Sequence, residues 1–270
     1  MNEIRVLVPD PLVRNNVRVS GHGEPAIVFA HGYGCDQNMW RLVAPAFEDS
    51  HRVVLFDHVG AGDSDKAAWN PARYSTLGGY ASDLVEIGQA LDLEGAIFVG
   101  HSVSAMIGIL AAKQAPGLFS KLVLVGPSPC YINDDGYAGG FARQDIEELL
   151  QFMDSNFLGW SSMLAPRIMG NPDQPQLGEE LTNSFCRTDP EIAKHFARVT
   201  FLSDNRSDLE GFAEPTLILQ CSDDIIAPAC VGEYVHKRIP GSVFRQMQAK
   251  GHCPNLSAPQ ETIDAIQSWL

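Results

Sequence analysis

The chain has 270 residues, 45% hydrophobic and 19% charged, enough to bury a full core in one large domain or one domain carrying an inserted cap. With 19 Lys+Arg against 33 Asp+Glu the net charge is −14, and no Lys/Arg cluster reverses it locally. Such a surface repels phosphate backbones and anionic lipid, so neither nucleic acid nor a membrane is an expected partner. The six cysteines, at 35, 130, 186, 221, 230 and 253, include no C-x-x-C pair. That spacing points to no zinc ribbon, no redox motif and no bound metal or cofactor, and predicts free thiols packed as small hydrophobes.

The opening Met1-Asn2-Glu3-Ile4-Arg5, continuing to Pro9-Asp10-Pro11, has no apolar leader segment. The longest apolar stretch, Ala105 to Ala112, is too short to cross a bilayer. A cytoplasmic location is expected. Short apolar runs then alternate with helical stretches. Ala26 to Ala30, Val53 to Phe56, Ala96 to Val99, Leu122 to Val125 and Thr216 to Gln220 are continuous apolar or near-apolar runs, the pattern of strands buried on both faces. Between them, helices are predicted over Met39 to Phe47, Gly79 to Leu91, Ala105 to Gln114 and Val231 to Arg238, with a last one from about Gln260 to Leu270. This alternation predicts a doubly wound α/β sheet with right-handed crossovers.

The rhythm breaks between Ser128 and Ser207, where strand runs disappear. Ile146, Leu149, Leu150 and Met153 fall at i, i+3, i+4 and i+7, one face of a helix. Thr188-Asp189-Pro190-Glu191 has capping-box spacing with proline in the first turn, and Ile192, Phe196 and Val199 mark the helix it starts. The expected organisation is a core over 1–127, a helical lid over 128–207 and a second core segment over 208–270.

The chemistry begins at Phe98-Val99-Gly100-His101-Ser102-Val103-Ser104-Ala105, an apolar strand running through a glycine and a serine into a helix. This is the G-x-S-x-G nucleophile elbow with Ser104 in place of the last glycine; small residues are needed because the turn is tight. A serine hydroxyl needs a base, and chain order in such an elbow fold is Ser, acid, His. Of eight histidines, His252 alone follows a glycine at the expected end of a last strand, Val243 to Gln248. The acid should leave the strand Thr216 to Gln220, where Asp223 and Asp224 both stand, and Asp224 is preferred for its D-x-x-x-P stretch ending at Pro228. The segment after the preceding strand, Gly126-Pro127-Ser128-Pro129-Cys130, offers no carboxylate. The expected oxyanion donors are the backbone N–H groups of Val103 and of Tyr33, the latter in the loop His31-Gly32-Tyr33-Gly34. The loop Asp57 to Ser64 carries glycines at 60 and 62, but the dinucleotide pattern fails at Asp65 and the loop reads as structural.

Together, HGYG, FDHVGAGDSD, GHSVSA and GHC resemble the α/β-hydrolase superfamily. The longer strings GCDQNMW, RVVLFDHVGAG, FVGHSVSAMIG, VGPSPCYIND, QCSDDIIAP and GHCP are similar to the RsbQ-like bacterial stress regulators and their plant relatives, the karrikin and strigolactone receptors. In the elbow the regulators usually carry glycine where Ser104 stands, and Ser104 matches the plant form. The resemblance implies a mostly parallel core of eight strands with a four-helix lid. It carries Ser102, Asp224 and His252 over as triad and Tyr33 and Val103 as oxyanion positions. It further implies a signalling role upstream of a PAS-domain phosphatase or other sensor protein. The lid's Phe141, Phe157, Trp160, Met163 and Phe196, with Ile226 from the acid loop, are expected to line an apolar pocket for a small, uncharged ester or lactone. Dehalogenase and epoxide-hydrolase chemistry need a carboxylate at Ser102. The position of Cys253 beside His252 leaves open whether it tunes the base or fills space.

Overall fold

The computed structural model describes residues 10–270; the N-terminal stretch from Met1 to Pro9, read above for a leader, lies outside them. Seven strands form one sheet: β1 (Arg18–Ser20), β2 (Ile27–Ala30), β3 (Val53–Leu55), β4 (Ala96–His101), β5 (Phe119–Val125), β6 (Thr216–Gln220) and β7 (Val243–Gln246). Their order is β1-β3-β2-β4-β5-β6-β7. β1 pairs antiparallel with β3, and every other pair is parallel. The expected eight strands are thus seven among the described residues.

The central strands read as unbroken apolar runs because both of their faces are covered. In β4, Phe98 points into a cluster with Leu84, Ile87 and Met106 from helices α2 (Leu77–Ala90) and α3 (Val103–Gln114), counted after the short α1 (Pro11–Arg14). Its neighbours Ile97 and Val99 point to the other face, against Trp40, Phe47 and Ile266. Each fully buried side chain of this size contributes about 1.5–3 kcal/mol relative to exposure. Gly100 is required by close approach, since a Cβ there would lie 2.6 Å from the Phe98 ring and 2.7 Å from the Ser104 carbonyl oxygen.

The helix expected over Met39 to Phe47 is instead two 3-10 turns, Gln37–Trp40 and Ala44–Phe47. Pro45 has no N–H to continue an α-helical ladder through the middle of that stretch.

Between β5 and β6 no described residue joins the sheet, and four helices occupy the interval: α4 (Arg143–Ser155), α5 (Phe157–Met169), α6 (Pro175–Arg187) and α7 (Pro190–Phe201). The cap of α7 falls one residue later than the capping-box spacing suggested. Asp189 accepts from the Glu191 and Ile192 amides at 2.9 and 3.4 Å, while Thr188 closes α6. The four helices share a core of Ile146, Met153, Trp160, Leu181 and Phe185 with Tyr131, Ile226 and Cys253 of the sheet loops. The chain finishes with α8 (Ala229–Arg238), α9 (Pro254–Ser257) and α10 (Pro259–Gln267). No helix of the described residues is long and apolar enough to cross a membrane.

Candidate active site

β4 delivers Ser102 onto a turn so sharp that it adopts φ 56° and ψ −123°, rare for a residue with a Cβ. Backbone of this kind costs about 1–3 kcal/mol and persists where surrounding structure over-determines it. The Ser102 amide is pinned to the Val125 carbonyl at 2.8 Å, and its own carbonyl accepts from Ala105 at 2.9 Å. The hydroxyl is thereby presented above the C-terminal edge of the sheet.

Two further sheet loops converge on it. The loop after β7 brings His252, whose Nε2 lies 2.7 Å from Ser102 Oγ. The loop after β6 brings Asp224, whose Oδ2 lies 2.7 Å from His252 Nδ1. Its other oxygen accepts from the Ile226 and Ala227 amides at 2.8 and 3.0 Å. Burial opposes charge on Asp224, but the imidazole and the two amides outweigh it and hold the carboxyl below its ordinary range. An ionised Asp224 fixes the proton on His252 Nδ1 and leaves Nε2 free to accept the serine proton. Asp223, the rival acid, is exposed and meets this region only through its carbonyl, which accepts from the Gly251 amide at 2.9 Å.

The amides expected from the sequence as oxyanion donors, those of Val103 and Tyr33, are both without a backbone acceptor among the described residues. The Val103 amide opens α3 and so has no intrahelical acceptor. The Tyr33 amide donates to no protein acceptor among the described residues, while its side chain reaches across to α7 and donates to the Ala193 carbonyl at 3.0 Å.

Ser104 and three histidines to which the sequence assigned no role, His31, His58 and His101, hold this corner together. Ser104 Oγ donates to the His31 carbonyl and accepts from His58 Nε2 at 2.7 Å. His31 Nε2 in turn accepts the His58 amide at 3.0 Å. Ser104 is therefore a bridge from the elbow helix to the Tyr33 loop, where size alone had been considered. Burial, then the neighbouring His31 ring, pushes the His58 pKa well down, so His58 stays neutral. His101 donates from Nε2 to the His252 carbonyl at 2.7 Å, and burial with the adjacent His252 lowers its pKa to about 3.

A cavity of ≈ 30 Å³ opens at Ser102 and His252. It has room for about two waters. Tyr33, Tyr131, Ile226 and Cys253 form its floor, and Ile168, Leu181, Phe185, Thr200 and Phe201 from α5, α6 and α7 close it from above. Of the residues expected to line it, only Ile226 does. Met163 is 43% exposed because it falls on the flank of α5, beside the buried face that carries Trp160, Leu164 and Ile168. Trp160 is fully buried but stacks behind Phe185 at 5.5 Å, with Phe157 stacked behind it at 6.2 Å. Phe196 stacks on Tyr80 at 4.3 Å, and Phe141 is half-buried beside Ile132. These aromatics pack helix to helix.

Residues 25–259 match a family model described as the alpha/beta hydrolase fold. The chain belongs to the α/β-hydrolase-fold family. It is 39% identical over 253 residues to a karrikin-insensitive receptor of Petunia hybrida, covering 93% of this chain and 94% of the relative. It is 39% identical over 256 residues to a strigolactone esterase of Arabidopsis thaliana, covering 94% and 96%. A solved hydrolase from Oleispira antarctica superposes with a TM-score of 0.93 at 43% identity, covering 96% of this chain and 95% of that one. Within this hydrolase-family chain, the Ser102–His252–Asp224 contacts sit on loops at strand ends, where open α/β sheets place their ligands. The cavity walls come from helix faces whose aromatic content was visible but whose orientation was not.

Proposed function

We propose that this protein is a serine hydrolase of a small, uncharged ester or lactone, with Ser102 as nucleophile, His252 as general base and Asp224 as the acid that orients it. The observation that carries this reading is the unbroken chain of 2.7 Å contacts from Asp224 through His252 to Ser102, ending at a nearly hydrocarbon-lined cavity. Ser102 Oγ attacks the carbonyl carbon as His252 Nε2 takes its proton, and Asp224 stabilises the imidazolium. The negative oxygen of the tetrahedral intermediate is received by the Tyr33 and Val103 amides. Collapse breaks the ester C–O bond, and the departing alkoxide takes the proton back from His252; from a lactone it stays tethered to the acyl group. Water, deprotonated by His252, then releases the acid and restores Ser102.

The size of the cavity favours a signalling use of this chemistry. At ≈ 30 Å³ it is too small for an ester of any length, so the four-helix insertion acts as a lid that must move to admit one. A protein that recloses over its acylated serine deacylates slowly and reports ligand by its conformation. The RsbQ-like motif resemblance supports the same role, in the cytoplasm, with a PAS-domain phosphatase or other sensor protein as receiver.

Rapid mixing with 4-nitrophenyl acetate, wild type beside Ser102→Ala, tests this. A burst near one equivalent followed by slow release, absent in the variant, supports the slow signalling hydrolase. Fast sustained turnover, also absent in the variant, supports an ordinary esterase. Release that survives Ser102→Ala refutes the assignment. Co-elution of a PAS-domain phosphatase with the ester-treated protein is the expected result for the signalling arm; separate elution removes that arm alone.

A further inference from the structure

Thr200 lies on α7, is 1% exposed, and lines the same cavity as Ser102 and His252. Its hydroxyl has no hydrogen-bond partner among the described residues. A threonine inside a helix normally satisfies its hydroxyl on the carbonyl four residues back. In this chain Thr182 does so on Gly178 at 2.8 Å and Thr262 on Ala258 at 3.0 Å. Thr200 does not. A buried hydroxyl left unpaired costs stability that a ligand-free fold has no reason to give up.

Its neighbours sharpen the point. Ile168, Leu181, Phe185 and Phe201, the other residues that the insertion's helices contribute to the cavity, are all hydrocarbon, while Tyr131, from the loop after β5, brings a phenol beside Ser102. On the sheet side, Ser102 and His252 are committed to each other, and the Tyr33 hydroxyl to Ala193. The Thr200 hydroxyl is thus the polar group that the helices α4 to α7 offer to whatever Ser102 holds. With α7 closed over it, a group seated on Ser102 shares the cavity that Thr200 lines.

We propose that Thr200 is a specificity-determining residue, donating a hydrogen bond to an oxygen on the acyl or lactone skeleton away from the scissile carbonyl. Ether, ring and keto oxygens accept and cannot donate, so the threonine O–H is the donor. The substrate class is thereby narrowed from plain alkanoate esters to small oxygen-bearing acyl groups or lactones. This inference rests on Ser102 being the nucleophile.

The test compares 4-nitrophenyl methoxyacetate with 4-nitrophenyl butanoate, which differ by an ether oxygen in place of a methylene. The ratio of their kcat/KM values in Thr200→Val, divided by the wild-type ratio, cancels the intrinsic reactivity of the two esters. That quotient is expected to fall roughly fivefold to tenfold, the worth of one hydrogen bond, and to be restored by Thr200→Ser. The melting temperature of unliganded Thr200→Val is expected to rise by roughly 2–4 °C, because an unpaired hydroxyl is replaced by an isosteric methyl. An unchanged quotient with Ser102-dependent turnover overturns the anchor and leaves the hydrolase. A lowered melting temperature also overturns it, by showing the hydroxyl to be structural. Turnover that persists in Ser102→Ala removes the hydrolase reading and the anchor with it.

Discussion

The backbone amide of His252 donates to the carbonyl of Ile168 at 2.9 Å, so the residue proposed as base is tied directly to the C-terminal turn of a helix in the inserted layer. Next to it, Gly251 has φ 74°, and a Cβ there would lie 1.8 Å from the Met169 carbonyl oxygen. Any shift of α5 therefore pulls on the catalytic loop. Gly251→Ala is expected to lower kcat/KM for 4-nitrophenyl acetate at least about tenfold, since a displacement of roughly an ångström at a catalytic group has effects of this order and above. Wild-type kinetics in a folded Gly251→Ala protein would show that the contact between α5 and the loop is incidental.

The two neighbouring aspartates separate cleanly. Asp224→Asn removes the charge that sets the His252 tautomer, and kcat is expected to fall on the order of 10⁴-fold. Asp223→Asn keeps the backbone carbonyl that Gly251 uses and is expected to change kcat less than about twofold, as for a surface substitution away from such features. Equal losses in the two variants would contradict the hydrogen-bonding pattern around His252.

Ser104→Ala tests the bridge between the elbow and the Tyr33 loop. It leaves His58 Nε2–H and the His31 carbonyl unpaired in a buried site. Each unsatisfied group costs about 1–3 kcal/mol. A melting temperature lower by at least roughly 2–4 °C is expected, together with a reduced kcat at unchanged KM, because the role proposed for the Tyr33 amide is to serve the transition state rather than substrate binding. A stability loss with unaltered kcat would confine Ser104 to a structural part.

Acid should destabilise the fold through its buried imidazoles. His101 and His58 are held below the ordinary value of 6.5. The unfolded chain then binds protons that the folded chain refuses. Stability from these groups is fully present above pH 6.5 and is lost as pH falls below it, by about 1.4 kcal/mol per pH unit for each histidine until its folded pKa is reached. Urea midpoints measured between about pH 8 and about pH 5 should fall, and His58→Leu should flatten the slope by one proton. An unaltered slope in that variant would mean His58 titrates normally.

The three residues found in contact, Ser102, His252 and Asp224, were readable without coordinates because they rest on short, local patterns. The elbow at Ser102 needs a strand, small neighbours and a helix start, all contiguous in sequence. His252 and Asp224 follow strand ends in the required chain order. Ser104 and His58 were not legible as a pair. The substitution of serine for glycine was visible, but its partner stands 46 residues away on another loop. Nothing in residue type tells a bridging hydroxyl from a merely small side chain. The 3-10 turns around Pro45 show the same limit, where apolar periodicity suggested one helix and a missing N–H divided it.

The sequence by itself determined the parallel α/β core, the helical character of residues 143–201 and the identity of the three residues now found in contact, because buried strands, helix periodicity and tight turns each leave a local signature. Only the tertiary structure decided which insertion side chains meet the cavity. A helix shows in sequence that it has an apolar face, but the rotation that brings Thr200 to the cavity and Met163 to solvent is set by packing against the other three helices and the sheet loops.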